Sequence, residues 1–175
     1  MSFDVAEISK DLPPIILWAA PVMISLVFVE YWVKFKKFRK KDDSKDMVAA
    51  TIIGLGHLVS NAITKTLVLG LIFLIYKITP FEIPPTWWSY ILCIFALDFC
   101  RYWAHRIGHQ SRIFWATHVV HHNSKQYNWS VSFRLSWAQQ IKVIFFLPVA
   151  FAGFHPIVFF ICHQIEVLYQ FWIHT

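Results

Sequence analysis

Apolar positions in this chain run in long blocks, not at a strand or surface-helix period. Leu12 to Val33 is the first block, opening on Pro13-Pro14 and carrying Glu30 near its end. It is about as long as the ~20 apolar residues a bilayer core requires. Met47 to Thr79 is the second, longer than one span needs and interrupted by His57, Asn61 and Lys65, which predicts a long, tilted or broken helix. Thr79-Pro80-Phe81-Glu82-Ile83-Pro84-Pro85 reads as a short turn. Thr86 to about Ala104 is a third span, with Trp87-Trp88 as interfacial anchors. Residues 105–136 are polar. Trp137 to Phe154 and Pro156 to Thr175 are apolar again, joined by Gly153-Phe154-His155-Pro156. This last pair is expected to be a helical hairpin that enters and returns on one side. Neither internal repeat nor β-type alternation is present, so the chain is expected to be helical throughout.

Composition sharpens this. Hydrophobic residues make up 57% of the 175 and charged ones 15%, against about 25% charged in average soluble domains. A soluble globule, a disordered tail and a nucleic-acid module are excluded. The net charge of +6 gathers in Lys34-Phe35-Lys36-Lys37-Phe38-Arg39-Lys40-Lys41, flanking the first span. Basic residues beside a span stay cytoplasmic, which puts the N-terminus on the other side and residues 105–136 on the cytoplasmic one. A removed signal peptide is not expected. Cys93, Cys100 and Cys162 lie in apolar stretches and give no disulfide framework. The final Tyr169-Gln170-Phe171-Trp172-Ile173-His174-Thr175 stops inside an apolar helical pattern and reads as a truncation.

The candidate chemistry is histidine. Five of the nine histidines fall between positions 105 and 122. His105 and His109 are spaced i, i+4; His118, His121 and His122 are spaced i, i+3, i+4. On helices each group presents its imidazoles from one face. Two such helices facing each other form a nitrogen-rich metal cage. Two imidazoles suit a haem and three a zinc; imidazole also suits copper, iron and nickel, so spacing does not choose the metal. Asp98, two turns before His105, is positioned either to orient a ligand ring or to pair with Arg101 or Arg106. His174 ends the last segment at the cytoplasmic depth of the boxes and is the sixth expected ligand. His163, deeper, is expected to line a cavity or bond a helix. His57 is expected to make a contact between spans, and His155 to belong to the turn.

Asp98-Phe99-Cys100-Arg101-Tyr102-Trp103-Ala104-His105-Arg106 with His109, and Trp115-Ala116-Thr117-His118-Val119-Val120-His121-His122-Asn123-Ser124, resemble the fatty acid hydroxylase (sterol desaturase) superfamily of membrane di-iron oxygenases. Tyr127-Asn128, Arg134 and the Trp172-Ile173-His174-Thr175 ending look most like the alkylglycerol monooxygenase branch. The resemblance covers roughly residues 90–175. Its third box, H-x2-H-H, is not in this chain. The resemblance implies an all-α, multi-span membrane protein with a cytoplasmic-side histidine cluster. Residues 1–85 form an N-terminal transmembrane region with a basic loop, and 86–175 the first part of a hydroxylase-like domain. It also implies two irons, with His105, His109, His118, His121, His122 and His174 among their ligands and O₂ as oxidant. The implied substrate is a sterol, fatty acyl or alkylglycerol lipid, hydroxylated or desaturated at a C–H bond. Electrons come from an external cytochrome b5-type protein or a tetrahydropterin. The membrane is the endoplasmic reticulum in a eukaryote and the inner membrane in a bacterium. The chain alone, lacking the third box, is expected to be inactive. The competing readings are a non-catalytic membrane protein whose cluster holds zinc or is empty, and a haem-bearing electron carrier.

Overall fold

The computed structural model describes residues 12–38, 42–124 and 129–173. Six α-helices are present among them: α1 (Ile15–Phe38), α2 (Asp42–Ile78), α3 (Trp87–Gln110), α4 (Arg112–His122), α5 (Leu147–Phe151) and α6 (Pro156–Ile173). Two 3₁₀ segments, Trp129–Phe133 and Gln139–Phe145, lie between α4 and α5. Apart from one isolated bridge between Ile83 and Phe154, the described residues are helix, turn and loop.

Local chemistry accounts for the breaks. Pro84-Pro85 stop any helix before Thr86. Ser89 Oγ then accepts from Thr86 N at 3.0 Å and donates to Thr86 O at 2.7 Å, starting α3. Ser111 both ends α3, its N–H reaching Ile107 O at 2.9 Å, and opens α4, its carbonyl accepting from Trp115 N at 2.7 Å. One residue thus folds the chain back on itself. Gly153 has φ +88°, and a Cβ there would stand 2.5 Å from Phe81 O, so only glycine fits this turn. Pro156 is the first residue of α6, where its missing N–H is not needed.

The core lies where α2, α3, α5 and α6 meet: Ile72, Cys93, Leu97, Phe146, Val149, Val158, Phe159 and Cys162. Large apolar side chains also cover the outside, among them Leu17, Trp18 and Phe28 on α1 and Trp87, Phe95 and Phe99 on α3. A surface this apolar suits lipid, not water. By length and apolarity Ile15–Lys34 and Pro156–Ile173 can cross a membrane. A third such unit is α2 if its halves, Val48–Thr64 and Thr66–Ile78, bent by 46°, count as one span. The broken second helix is thus as expected. The expected third span, within α3, is not apolar enough to join them: Asp98 and Arg101 lie inside it.

The expected hairpin differs in its first arm. Residues 137–154 form a 3₁₀ segment and the five-residue α5 instead of one helix. Pro148 removes an N–H, and the 3₁₀ segment is drawn onto α2, where Gln140 Nε2 donates to Asn61 Oδ1 at 3.0 Å. The hairpin tip reaches the Pro-rich turn, with Ile83 N donating to Gly153 O at 2.7 Å. At the opposite end of the bundle Glu30, near the end of α1, accepts from Trp129 N at 2.8 Å. There too Asp46, near the start of α2, meets Arg134 at 2.7 Å. The end of α1 that enters the basic run and the segment after the histidine boxes therefore share one end.

Candidate metal centre

The one-residue turn at Ser111 lays α4 back against α3, so the two histidine groups face each other. Gly108 makes the approach close: a Cβ on it would stand 3.4 Å from the His118 ring. His105 and His109 bring their Nε2 atoms to 3.1 Å. His118 Nε2 lies 3.3 Å from His109 Nε2 and 3.1 Å from His122 Nε2. One ring nitrogen from each of His105, His109, His118 and His122 fits within a span of 4.8 Å. Ligands at a metal–nitrogen distance of about 2.0–2.1 Å stand roughly 2.9–3.4 Å apart around one ion. The donor set therefore fits a divalent transition metal.

The six expected ligands separate. His105, His109, His118 and His122 converge. His121 is buried and stacks on His118 with ring centres 5.9 Å apart and planes at 22°, but it is not one of the converging four. His174 lies outside the described residues. Asp98 is exposed, and its electrostatic neighbours are Arg101 and Glu166. Trp115 walls the cluster, 5.6 Å from His109 and stacked on His122 at 5.9 Å.

Lys142 was not singled out from the sequence. Its side chain is buried, and Nζ stands 3.3 Å from His118 Nδ1. The signal available was a lysine within an apolar block, since ionisable groups there face the interior. Burial first, then the Lys142 ammonium and the neighbouring rings, hold the His118 pKa far below its ordinary value. Neutral imidazole is the ligating form; for Nε2 to ligate, Nδ1 keeps the proton and the Lys142 amine accepts its hydrogen bond, a neutral form that burial favours by lowering the lysine's pKa to about 8.

On the core side of the cluster, Arg101 Nε donates to Glu166 Oε2 at 3.2 Å. The Arg101 guanidinium lies 5.2 Å from the Phe146 ring centre. His163 stacks on Phe159 and meets Phe146 edge-on, apart from the four converging rings. His57 Nδ1 pairs with Ser136 O at 2.9 Å, a contact between α2 and the segment after the boxes. His155 Nδ1 accepts from Ile157 N at 3.3 Å in the turn.

Residues 90–175 match the fatty acid hydroxylase family, and the chain belongs to that superfamily. Its relatives put it on the alkylglycerol monooxygenase-like branch. It is 42% identical over 97 residues to alkylglycerol monooxygenase of Xenopus tropicalis, covering 55% of this chain and 21% of that protein. It is 34% identical over 174 residues to the Homo sapiens enzyme of that name and 32% over 172 residues to the Danio rerio one. Each match covers 95% of this chain and 38% of the relative. The chain thus spans well under half the length of these relatives. No solved structure matches it.

Proposed function

We propose that the protein is a membrane-bound, non-haem iron oxygenase that uses O₂ to oxidise a lipid C–H bond. An ether-linked glycerol lipid is the first substrate to test, from the names of its relatives. The observation that carries the reading is the convergence of four imidazole nitrogens within 4.8 Å. Iron bound there supplies O₂ activation. His105, His109, His118 and His122 would hold it, and the two-iron reading adds His121 and His174 to the ligands. Lys142 and the burial around it keep His118 neutral, and Trp115 covers two of the rings. The apolar outer surface admits a lipid from the side. The electron donor is separate, a tetrahydropterin or a cytochrome b5-type protein.

The second reading is a non-catalytic protein with a structural zinc, because four imidazoles at this spacing suit zinc equally. Purification of the full-length protein with elemental analysis and lipid oxidation assays decides. Iron without a Soret band, and product formed with added tetrahydropterin or cytochrome b5, support the oxygenase. Zinc at full occupancy and no product with either donor refute it.

A further inference from the structure

We propose that Asp46 is a positioning residue for the second histidine box. From the start of α2 it holds, through Arg134 and Ser124, the chain that leaves α4, and so sets where His118 and His122 stand. This rests on the metal-centre reading above.

The need comes from α4 itself. It has 11 residues, short enough to be marginal alone, and its last two turns carry His118, His121 and His122. Its end has no left-handed glycine: Asn123 caps it at φ −87°. Among the described residues, no glycine cap fixes the direction in which the chain leaves the box. Asp46 does so with both carboxylate oxygens. Oδ1 accepts from Arg134 Nη1 at 2.7 Å, with the two side chains 19% and 7% exposed. Oδ2 accepts from the Ser124 hydroxyl, two residues past His122.

The same face of α2 receives residues 133–140. Gly54 leaves room for Phe133 and Gly56 for the Trp137 indole, whose Nε1 donates to Ile53 O at 3.0 Å. Ser60 donates to Trp137 O, and Asn61 accepts from Gln140. Two residues beyond Gln140 is Lys142, against His118. One stripe of α2 thus bears on His118 from both sides, directly after the box and through the 3₁₀ segment. This stripe lies outside residues 90–175, the part that matches the family.

The test uses Co²⁺ added to the purified, metal-stripped full-length protein, reading affinity and the visible ligand-field bands. Asp46→Asn is expected to weaken Co²⁺ binding about 10–100-fold, the range for groups that orient metal-bound histidines. It should also alter the bands while far-UV helicity stays constant. Arg134→Met is expected to do the same, and Asp46→Glu to restore both readouts. Wild-type affinity and bands in Asp46→Asn overturn the proposal. Should that variant fail to accumulate, Ser124→Ala decides, because it removes only the hydroxyl arm. Weaker binding with shifted bands supports the proposal, and an unchanged protein overturns it. A wild-type protein that takes up no Co²⁺ overturns the metal-centre reading itself, and this proposal with it.

Discussion

His118 is the residue on which the site turns, since its Nε2 lies beside two other ring nitrogens while its Nδ1 faces Lys142. Replacing His105, His109, His118 or His122 with Ala is expected to lower bound iron at least as far as loss of an orienting group does, about 10–100-fold or more. His57→Ala, whose ring bonds the Ser136 carbonyl, is expected to retain far more metal; equal loss in His57→Ala and His118→Ala, by elemental analysis, would refute the assignment. His118 also predicts a pH response. Its folded pKa is depressed, so its stabilisation is present above the unfolded value, about 6.5, and is lost as pH falls below it. Between pH 7.5 and 5.5 the metal-free wild type should lose about 1 kcal/mol more stability than His118→Gln. Denaturant midpoints in detergent measure this; an identical pH dependence in the two proteins contradicts it. The convergence of His105, His109, His118 and His122 was legible because i, i+4 spacing is a statement about one helix face; the same reading also included His121, which stands outside the four. Lys142 and Asp46 were not, because their partners lie 24 and 88 residues away in sequence, and no periodicity encodes a contact of that range.

At the scale of elements, the apolar blocks marked the long helices, and proline set the starts of α3 and α6 while Ser111 set the break between α3 and α4. The bend in α2 was foreshadowed by polar residues inside an overlong block. The 3₁₀ arm was not, since docking on α2 and the Pro148 break decide it, and neither is visible in hydropathy. Two glycines show how tightly elements meet. Gly153→Ala must adopt φ +88° and place a methyl 2.5 Å from Phe81 O. It is expected to destabilise by about 1–3 kcal/mol, seen as a lower thermal midpoint, with the metal site intact at low temperature. Gly108→Ala meets only ordinary to slightly tight contact with the His118 ring, 3.4 Å, and should retain metal. Gly108→Leu should drive α4 off α3 and lose it. Retention of metal by Gly108→Leu would show that the two box helices are not held by this approach.

For the whole molecule, the contacts of Glu30 and Asp46 gather the end of α1, the start of α2 and the segment after the boxes at one end. The hairpin tip and the Pro-rich turn lie at the other. Single cysteines at Lys36 and Asn123 are therefore expected to react with an impermeant thiol reagent from the same face of the membrane. One at Phe81 should react from the opposite face. Labelling of positions 36 and 123 from opposite faces would break this arrangement. Glu30 and Asp46 reach across the division of the chain at residue 85 to Trp129 and Arg134. The Arg101–Glu166 pair has a consequence for how such a chain is made. Its partners are 65 residues apart, so α3 leaves the ribosome before the Glu166 carboxylate is translated, with Asp98 of its own helix as the carboxylate near the guanidinium. A charge at the centre of a lone helix opposes entry into lipid by about 2.5–3.5 kcal/mol on insertion scales. The α3 helix, too polar to cross alone, would therefore enter lipid only against α6, whose Glu166 offsets the Arg101 charge.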